Sequence, residues 1–298
     1  MASADTLLAL ARSDEQRRFV MDAVTFLSGR ATPRVQQNAA WGVGDEALTL
    51  FHETSDEQEH AEADAARRWQ KLRWQAGFGW ITGPVEFGGR GLSADYEALY
   101  RRVESSFEIP DMSPLRIGIG TVGPAILGCG TAEQVSDYVV PIYRGEIVAC
   151  QLFSEPAAGS DLAGVRTRAT EVDGGWAITG QKVWTSNASF ADIGLALVRT
   201  DAQAPKHKGL TMMVVPMNAD GVTVRPLRQM TGGASFTEVF LDQVVVPHRA
   251  VVGDVGAGWQ VATRALAGER KAVGDRTHEV TDRAIGLLRE LAQRTGRI

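Results

Sequence analysis

The sequence is poor in the features that mark the most readily recognised protein classes. Only two cysteines, Cys129 and Cys150, occur in 298 residues, and they lack CxxC spacing. That excludes a disulfide-built scaffold and predicts two buried, unbridged thiols in a reducing compartment. The five histidines, His52, His60, His207, His248 and His278, show no HExxH or other ligand spacing, so no metal site is expected. No GxSxG elbow is present, which removes the nucleophilic serine hydrolases. There is no uninterrupted apolar run of roughly 18 residues, and the opening MASADTLLALARSDEQRR lacks a basic stretch followed by an apolar core. Neither a membrane span nor an export signal is expected, which places the chain in the cytoplasm. With no Lys/Arg-rich block and a formal charge of −5, a nucleic-acid surface or a polybasic membrane contact is excluded as well.

What is present is enough apolar residue, 44%, to bury a substantial core. From Ser13 the pattern SDEQ is a capping box, followed by Phe19, Val20, Ala23, Val24 and Leu27 at helical spacing. The same start signal recurs at Ser55-Asp56-Glu57-Gln58 and at Thr131-Ala132-Glu133-Gln134. Residues 1–148 therefore read as a helical N-terminal domain. The period then changes. Asp173-Gly174-Gly175 is a hairpin turn, and GLTMMVVPM, GVTVRPL and FTEVFLDQVVVP read as strands, so residues 149–250 form a middle β domain. With no helical crossovers its sheet is expected to be antiparallel. Residues 251–298 turn helical again, in GWQVATRALAGERKAVGDR and DRAIGLLRELAQR, as the start of a C-terminal helical bundle. The fold class is α+β.

One motif is a decoy. Gly118-Ile119-Gly120-Thr121-Val122-Gly123 satisfies GxGxxG but lies in a helical region with Pro124 next, where a dinucleotide fingerprint has no strand to precede it. Close packing of helices is the expected use of these glycines. The informative stretches are LFSEPAAGSD at 152–161 and QKVWTSNAS at 181–189, which offer an aromatic wall, hydroxyls and a tight loop. A flavin, planar and electron-poor with hydrogen-bonding edges, needs all three.

In this order, EPAAGSD followed by TGQKVWTSNA resembles the middle-domain signature of the acyl-CoA dehydrogenase family. The resemblance extends upstream through GPVEFGGRGLS and GTVGPAILGCGTAEQ, and downstream through SFTEVFLDQVVVP and GAGWQVATRALAGER. It implies FAD bound between the β domain and the C-terminal helices, with Phe153 and Ser154 at the pyrimidine edge of the flavin, Trp184 on the ring and Ser186 at N5. Ser160 would lie near the pantetheine arm of CoA. Gln151 departs from the aromatic or small residue that many members carry there. The implied reaction is α,β-dehydrogenation of an acyl-CoA to a trans-2-enoyl-CoA in lipid catabolism. A carboxylate takes the α-proton, hydride leaves to the flavin, and electrons pass on to an electron-transfer flavoprotein. Glu269 in ALAGER falls where a minority of members keep this base; on spacing alone it is a helix-surface carboxylate paired with an arginine. Most members keep the base beyond the last residue of this sequence, as they do the remaining helices of the bundle. An apolar helix face with Ala284, Leu287, Leu288 and Leu291 would then be exposed, which predicts a homo-oligomer or a heteromer with a related subunit. A flavin monooxygenase of the same fold and a flavin-free partner subunit are the competing readings.

Overall fold

A computed structural model describes residues 7–34, 56–230, 235–267, 289 and 291–297. Three helices open the fold: α1 (Asp14–Ser28), α2 (Asp56–Gln75) and α3 (Ala94–Glu104). Ser13 caps α1, its hydroxyl accepting from the Gln16 amide at 3.2 Å, while the Gln16 side chain bonds back to the Arg12 amide. The apolar face of α1, with Phe19, Val20, Ala23, Phe26 and Leu27 buried, packs on Trp69 of α2, Phe78 and Tyr100 of α3. Two short strands, β1 (Thr32–Pro33) and β2 (Phe107–Glu108), pair antiparallel beside this cluster.

The GxGxxG stretch is helical, a π-turn over Gly118–Val122 running into α4 (Gly123–Cys129). A Cβ on Gly118 would sit 3.2 Å from Ile142, and one on Gly123 3.3 Å from the Tyr143 ring, so these two glycines do serve close helix packing. Thr131 and Gln134 form the complete capping box that the sequence signals.

The sheet contains β3 (Ala149–Leu152), β4 (Arg168–Val172), β5 (Gly175–Thr185), β6 (Ile193–Arg199), β7 (Leu210–Pro216), β8 (Val222–Leu227), β9 (Phe236–Pro247) and β10 (Val251–Val252). Its order is β10-β7-β6-β4-β5-β9-β8, with β3 beside β6. The β4–β5 hairpin turns at Gly174, whose φ of 77° a residue without Cβ adopts freely. The sheet is mainly antiparallel, with two exceptions: β3 pairs parallel with β6, and β4 meets β6 in a single parallel bridge. β3 enters the sheet from the helices, and the β4–β5 hairpin intervenes before β6 returns alongside it.

One face of the sheet packs on the helices through Leu195, Leu197, Leu210 and Met212, in a core shared with Val122, Ala125 and Ile126. A helix over 258–267 adds Val261, Ala262 and Ala265 to the same core, and Arg264 bonds the Gly128 carbonyl at 2.8 Å. Cys129 and Cys150 are free; burial pushes the Cys150 thiol up to about 12. Among the described residues no helix is long and apolar enough to cross a membrane.

Candidate functional site

The two stretches singled out in the sequence lie side by side. β3 ends at Leu152, and the loop after it folds around one buried carboxylate, Glu155. The backbones of Glu155 and Ala158 exchange two hydrogen bonds of 3.0 Å, closing the Pro156-Ala157 turn. The Glu155 side chain accepts from the amides of Arg166 at 2.6 Å and Thr167 at 2.9 Å, at the far end of the loop. Its partner is Lys182 on β5, fully buried, whose ammonium donates to Glu155 at 2.8 Å, the Phe153 carbonyl at 3.1 Å and the Leu197 carbonyl at 2.6 Å. All three N–H bonds of the ammonium are therefore used. Arg199 adds a second clamp, donating to the carbonyls of Ala163 at 2.7 Å and Val165 at 3.0 Å.

The electrostatics follow the geometry. Burial alone would raise the Glu155 pKa, but the Lys182 charge and the donated hydrogen bonds outweigh it and hold the carboxyl below its ordinary value. Lys182 is lowered to about 8, because loss of hydration exceeds the attraction of Glu155. At neutral pH the pair is ionised on both sides.

This lock aligns Phe153 and Ser154 with β5. The Val183 amide donates to the Ser154 carbonyl at 2.9 Å, so Ser154 lies one residue from Trp184 along the strand. Phe153 is buried, its ring in the core beneath the sheet; Ser154 is half-buried and Ser160 is exposed at the loop tip. β5 breaks register with β9 between Lys182 and Thr185. At that bulge Trp184 takes φ 60°, a left-handed conformation that costs an L-residue roughly 1–2 kcal/mol. The indole is 61% exposed and touches Phe236 edge-on at 5.9 Å. Ser186 follows, half-buried, and Asn187, also at positive φ, donates to the Pro114 carbonyl at 3.0 Å. Phe153, Ser154, Trp184 and Ser186 thus share one locality, at the edge where the sheet meets the helices. Gln151 is half-buried in β3. Glu269 and Ser55 lie outside the described residues, as do Ala284, Leu287 and Leu288, whereas Leu291 is described and half-buried.

The buried Glu155–Lys182 lock was not legible as such. The signal was a lysine inside the apolar strand GWAITGQKVWT, seven residues after a turn, with an otherwise unexplained glutamate in EPAAGSD.

Residues 150–244 match the family model described as acyl-CoA dehydrogenase, middle domain, which spans the locked loop, β5 and the Trp184 bulge. The chain belongs to the acyl-CoA dehydrogenase family. It is 48% identical over 204 residues to acyl-CoA dehydrogenase FadE34 of Mycobacterium tuberculosis, covering 68% of this chain and 27% of that protein. It is 38% identical over 239 residues to acyl-CoA dehydrogenase IpdE1 of the same organism, covering 80% and 62%. Among solved structures, the Tcur3481-Tcur3483 steroid acyl-CoA dehydrogenase superposes with a TM-score of 0.67 at 27% identity, covering 94% of this chain and 68% of that one. The ChsE4-ChsE5 complex of Mycobacterium tuberculosis gives 0.63 at 25% identity, covering 87% and 61%. The chain spans less than two thirds of the length of either curated relative.

Proposed function

We propose that the chain forms part of an FAD-dependent acyl-CoA dehydrogenase that oxidises a bulky acyl-CoA thioester to its trans-2-enoyl product. The observation that carries this reading is Trp184: a large indole left 61% exposed, on a backbone conformation it adopts at a cost, beside a loop locked by buried charge. Strain of this kind persists where surrounding structure imposes it, and it clusters at ligand sites. The residues fit a flavin. The indole would wall one face of the ring, and the Ser154 and Ser186 hydroxyls would meet its polar edge. Flavin, when bound, supplies the acceptor for hydride; this chain's residues bind and orient it and shield the reacting carbons from water.

The α-proton requires a carboxylate held near the carbon and poorly hydrated, so that its pKa rises toward the task. Glu269 is the proposed base. Ser160, exposed at the loop tip, is the proposed contact to the pantetheine arm of CoA, and an electron-transfer flavoprotein is the proposed electron acceptor. A related subunit is the proposed partner, supported by the ChsE4-ChsE5 complex among the structural relatives. A large, rigid acyl group is favoured by the likeness to a steroid acyl-CoA dehydrogenase.

The deciding experiment is the visible spectrum of the purified full chain, before and after anaerobic addition of acyl-CoA thioesters. A yellow protein that bleaches is expected. A protein that stays colourless when FAD and a co-expressed related subunit are supplied would overturn the proposal and favour a flavin-free partner subunit.

A further inference from the structure

Ser154 keeps two polar groups unspent. Its carbonyl accepts from the Val183 amide, but its own amide and its hydroxyl have no hydrogen-bond partner among the described residues, although the residue is half-buried. The amides of Glu155 and Ala158, just beyond it, are both paired. The direction of the Ser154 amide is set by Lys182. The Phe153 carbonyl accepts from the Lys182 ammonium at 3.1 Å, and no peptide bond among the described residues is cis. In a trans peptide the C=O and N–H point in opposite directions. The Ser154 N–H is therefore turned away from the buried ammonium. Lys182 has no room to follow a rotation of this peptide, because it is fully buried and tied to the Leu197 carbonyl of β6 at 2.6 Å and to Glu155 at 2.8 Å.

An ammonium on the carbonyl oxygen also draws electron density through the peptide and strengthens the N–H at its other end as a donor, and burial screens this polarisation only weakly. Arg199 holds the same loop in a different way. It bonds the carbonyls of Ala163 and Val165, so it braces the loop without touching the Phe153–Ser154 peptide. A strengthened donor matters most to an acceptor whose negative charge rises. On the flavin reading, Ser154 meets the polar edge of the ring, and reduction of the ring adds negative charge at that edge.

We propose that Lys182 is a positioning residue for the flavin, aiming and strengthening the Ser154 amide so that the site favours the reduced ring over the oxidised one. The role rests on the flavin reading; the orientation of the peptide rests on the structure alone. A hydrogen bond to a charged acceptor contributes about twice as much as one to a neutral acceptor, so loss of the aimed N–H should cost the reduced form roughly tenfold more affinity than the oxidised form.

The test compares the FAD-loaded full chain with the paired variant Lys182→Met/Glu155→Gln, which leaves no buried charge without its partner. The readouts are the dissociation constant of oxidised FAD, by fluorescence, and the two-electron midpoint potential, by equilibration with a reference dye. The paired variant should lose roughly tenfold in its relative affinity for reduced FAD, which lowers the potential by about 30 mV. Arg199→Met, which loosens the loop elsewhere, should weaken both forms alike and leave the potential where it was. An unchanged potential in the paired variant, or an equal shift in Arg199→Met, would make Lys182 a brace for the loop and overturn the proposal. Should the paired variant fail to fold, hydrogen exchange at the Ser154 amide of the unmodified chain decides: exchange should slow at least tenfold on loading with FAD, and an unchanged rate overturns the proposal. A chain that retains no FAD at all sinks the flavin reading and this role with it, whereas FAD bound with an unshifted potential sinks only the role of Lys182.

Discussion

Two carboxylate–cation pairs occupy the two parts of this molecule, one buried on both sides and one only partly, and they are satisfied to different degrees. In the sheet, Lys182 uses all three of its N–H bonds, on Glu155, the Phe153 carbonyl and the Leu197 carbonyl of β6, and Glu155 accepts from Lys182 and from the amides of Arg166 and Thr167. In the helices, Glu104 accepts from Trp69 at 3.2 Å and Tyr100 at 3.0 Å, while Arg73 stands off at 3.6 Å and Gln70 keeps an unfilled oxygen. A buried pair with all its partners holds structure in place. The looser pair leans on its neighbours instead: Arg73 lies over the Tyr100 ring at 5.0 Å and donates to the Phe78 carbonyl at 3.5 Å. The first builds the platform under Trp184 and Ser154, and the second lines a cavity.

The largest effect should come from breaking the complete pair. Lys182→Met leaves Glu155 buried without its counter-charge, which costs about 3–5 kcal/mol and lowers Tm by on the order of 10 °C. Adding Glu155→Gln should recover part of that loss. Thermal unfolding of the single and double variants checks both; a single-variant cost below about 1 kcal/mol would show that the pair locks nothing. Acid should do by titration what mutation does by deletion. Glu155 has a folded pKa below its ordinary 4.5, so its stabilisation is present above that value and is lost as pH falls through the lower, folded one. Tm should therefore drop more steeply below about pH 4.5 in the unmodified chain than in Glu155→Gln, and parallel curves would remove Glu155 from the account.

How far these features were legible differs by region. β8, β9 and the hairpin at Gly174 follow from alternation and turn chemistry, β7 from a continuous apolar run bounded by Gly209 and Pro216, and the α1 face from its spacing. β6, IGLALVR, was not singled out: like β7 it has six of its seven residues buried and no alternation, and it lacks the flanking glycine and proline that bound β7. The parallel β3–β6 pairing depends on where the helices deliver the chain, which local pattern does not encode. At the site, Trp184 and Ser186 stood out through a family resemblance. Lys182 did not, because nothing in QKVW says that its side chain turns inward. Gln70 and Arg73 are invisible for the same reason: on a polar helix such as DEQEHAEADAARRWQKLRWQ, a buried Gln and a half-hidden Arg read like their solvated neighbours.

Asn187 links the two regions, and its variants separate a contact from a conformation. Asn187→Gly loses the bond to the Pro114 carbonyl, about 1 kcal/mol, while keeping a residue that tolerates φ 67°. Asn187→Ala loses the same bond and adds the left-handed penalty, for about 2 kcal/mol in total. Chemical denaturation resolves a difference of this size, and equal losses would mean that the backbone at 187 carries no strain.

The smallest effect on stability carries the sharpest statement about function. Trp184→Gly relieves a left-handed cost of roughly 1–2 kcal/mol and gives back about 0.4–1 kcal/mol through the greater freedom of glycine in the unfolded chain. The removed indole is mostly exposed, so little packing is lost, and a net gain of about 0.5–1 kcal/mol is expected. The same change strips the aromatic wall, so FAD retained through gel filtration should fall several-fold even as Tm rises. Trp184→Ala separates the two effects, because it removes the wall and keeps the strain: its flavin loss should match that of the glycine variant without the gain in Tm. If Trp184→Gly were destabilising and kept its flavin, the exposed indole would be packing rather than binding, and the locked loop would be scaffold in the same sense as any other turn of the sheet.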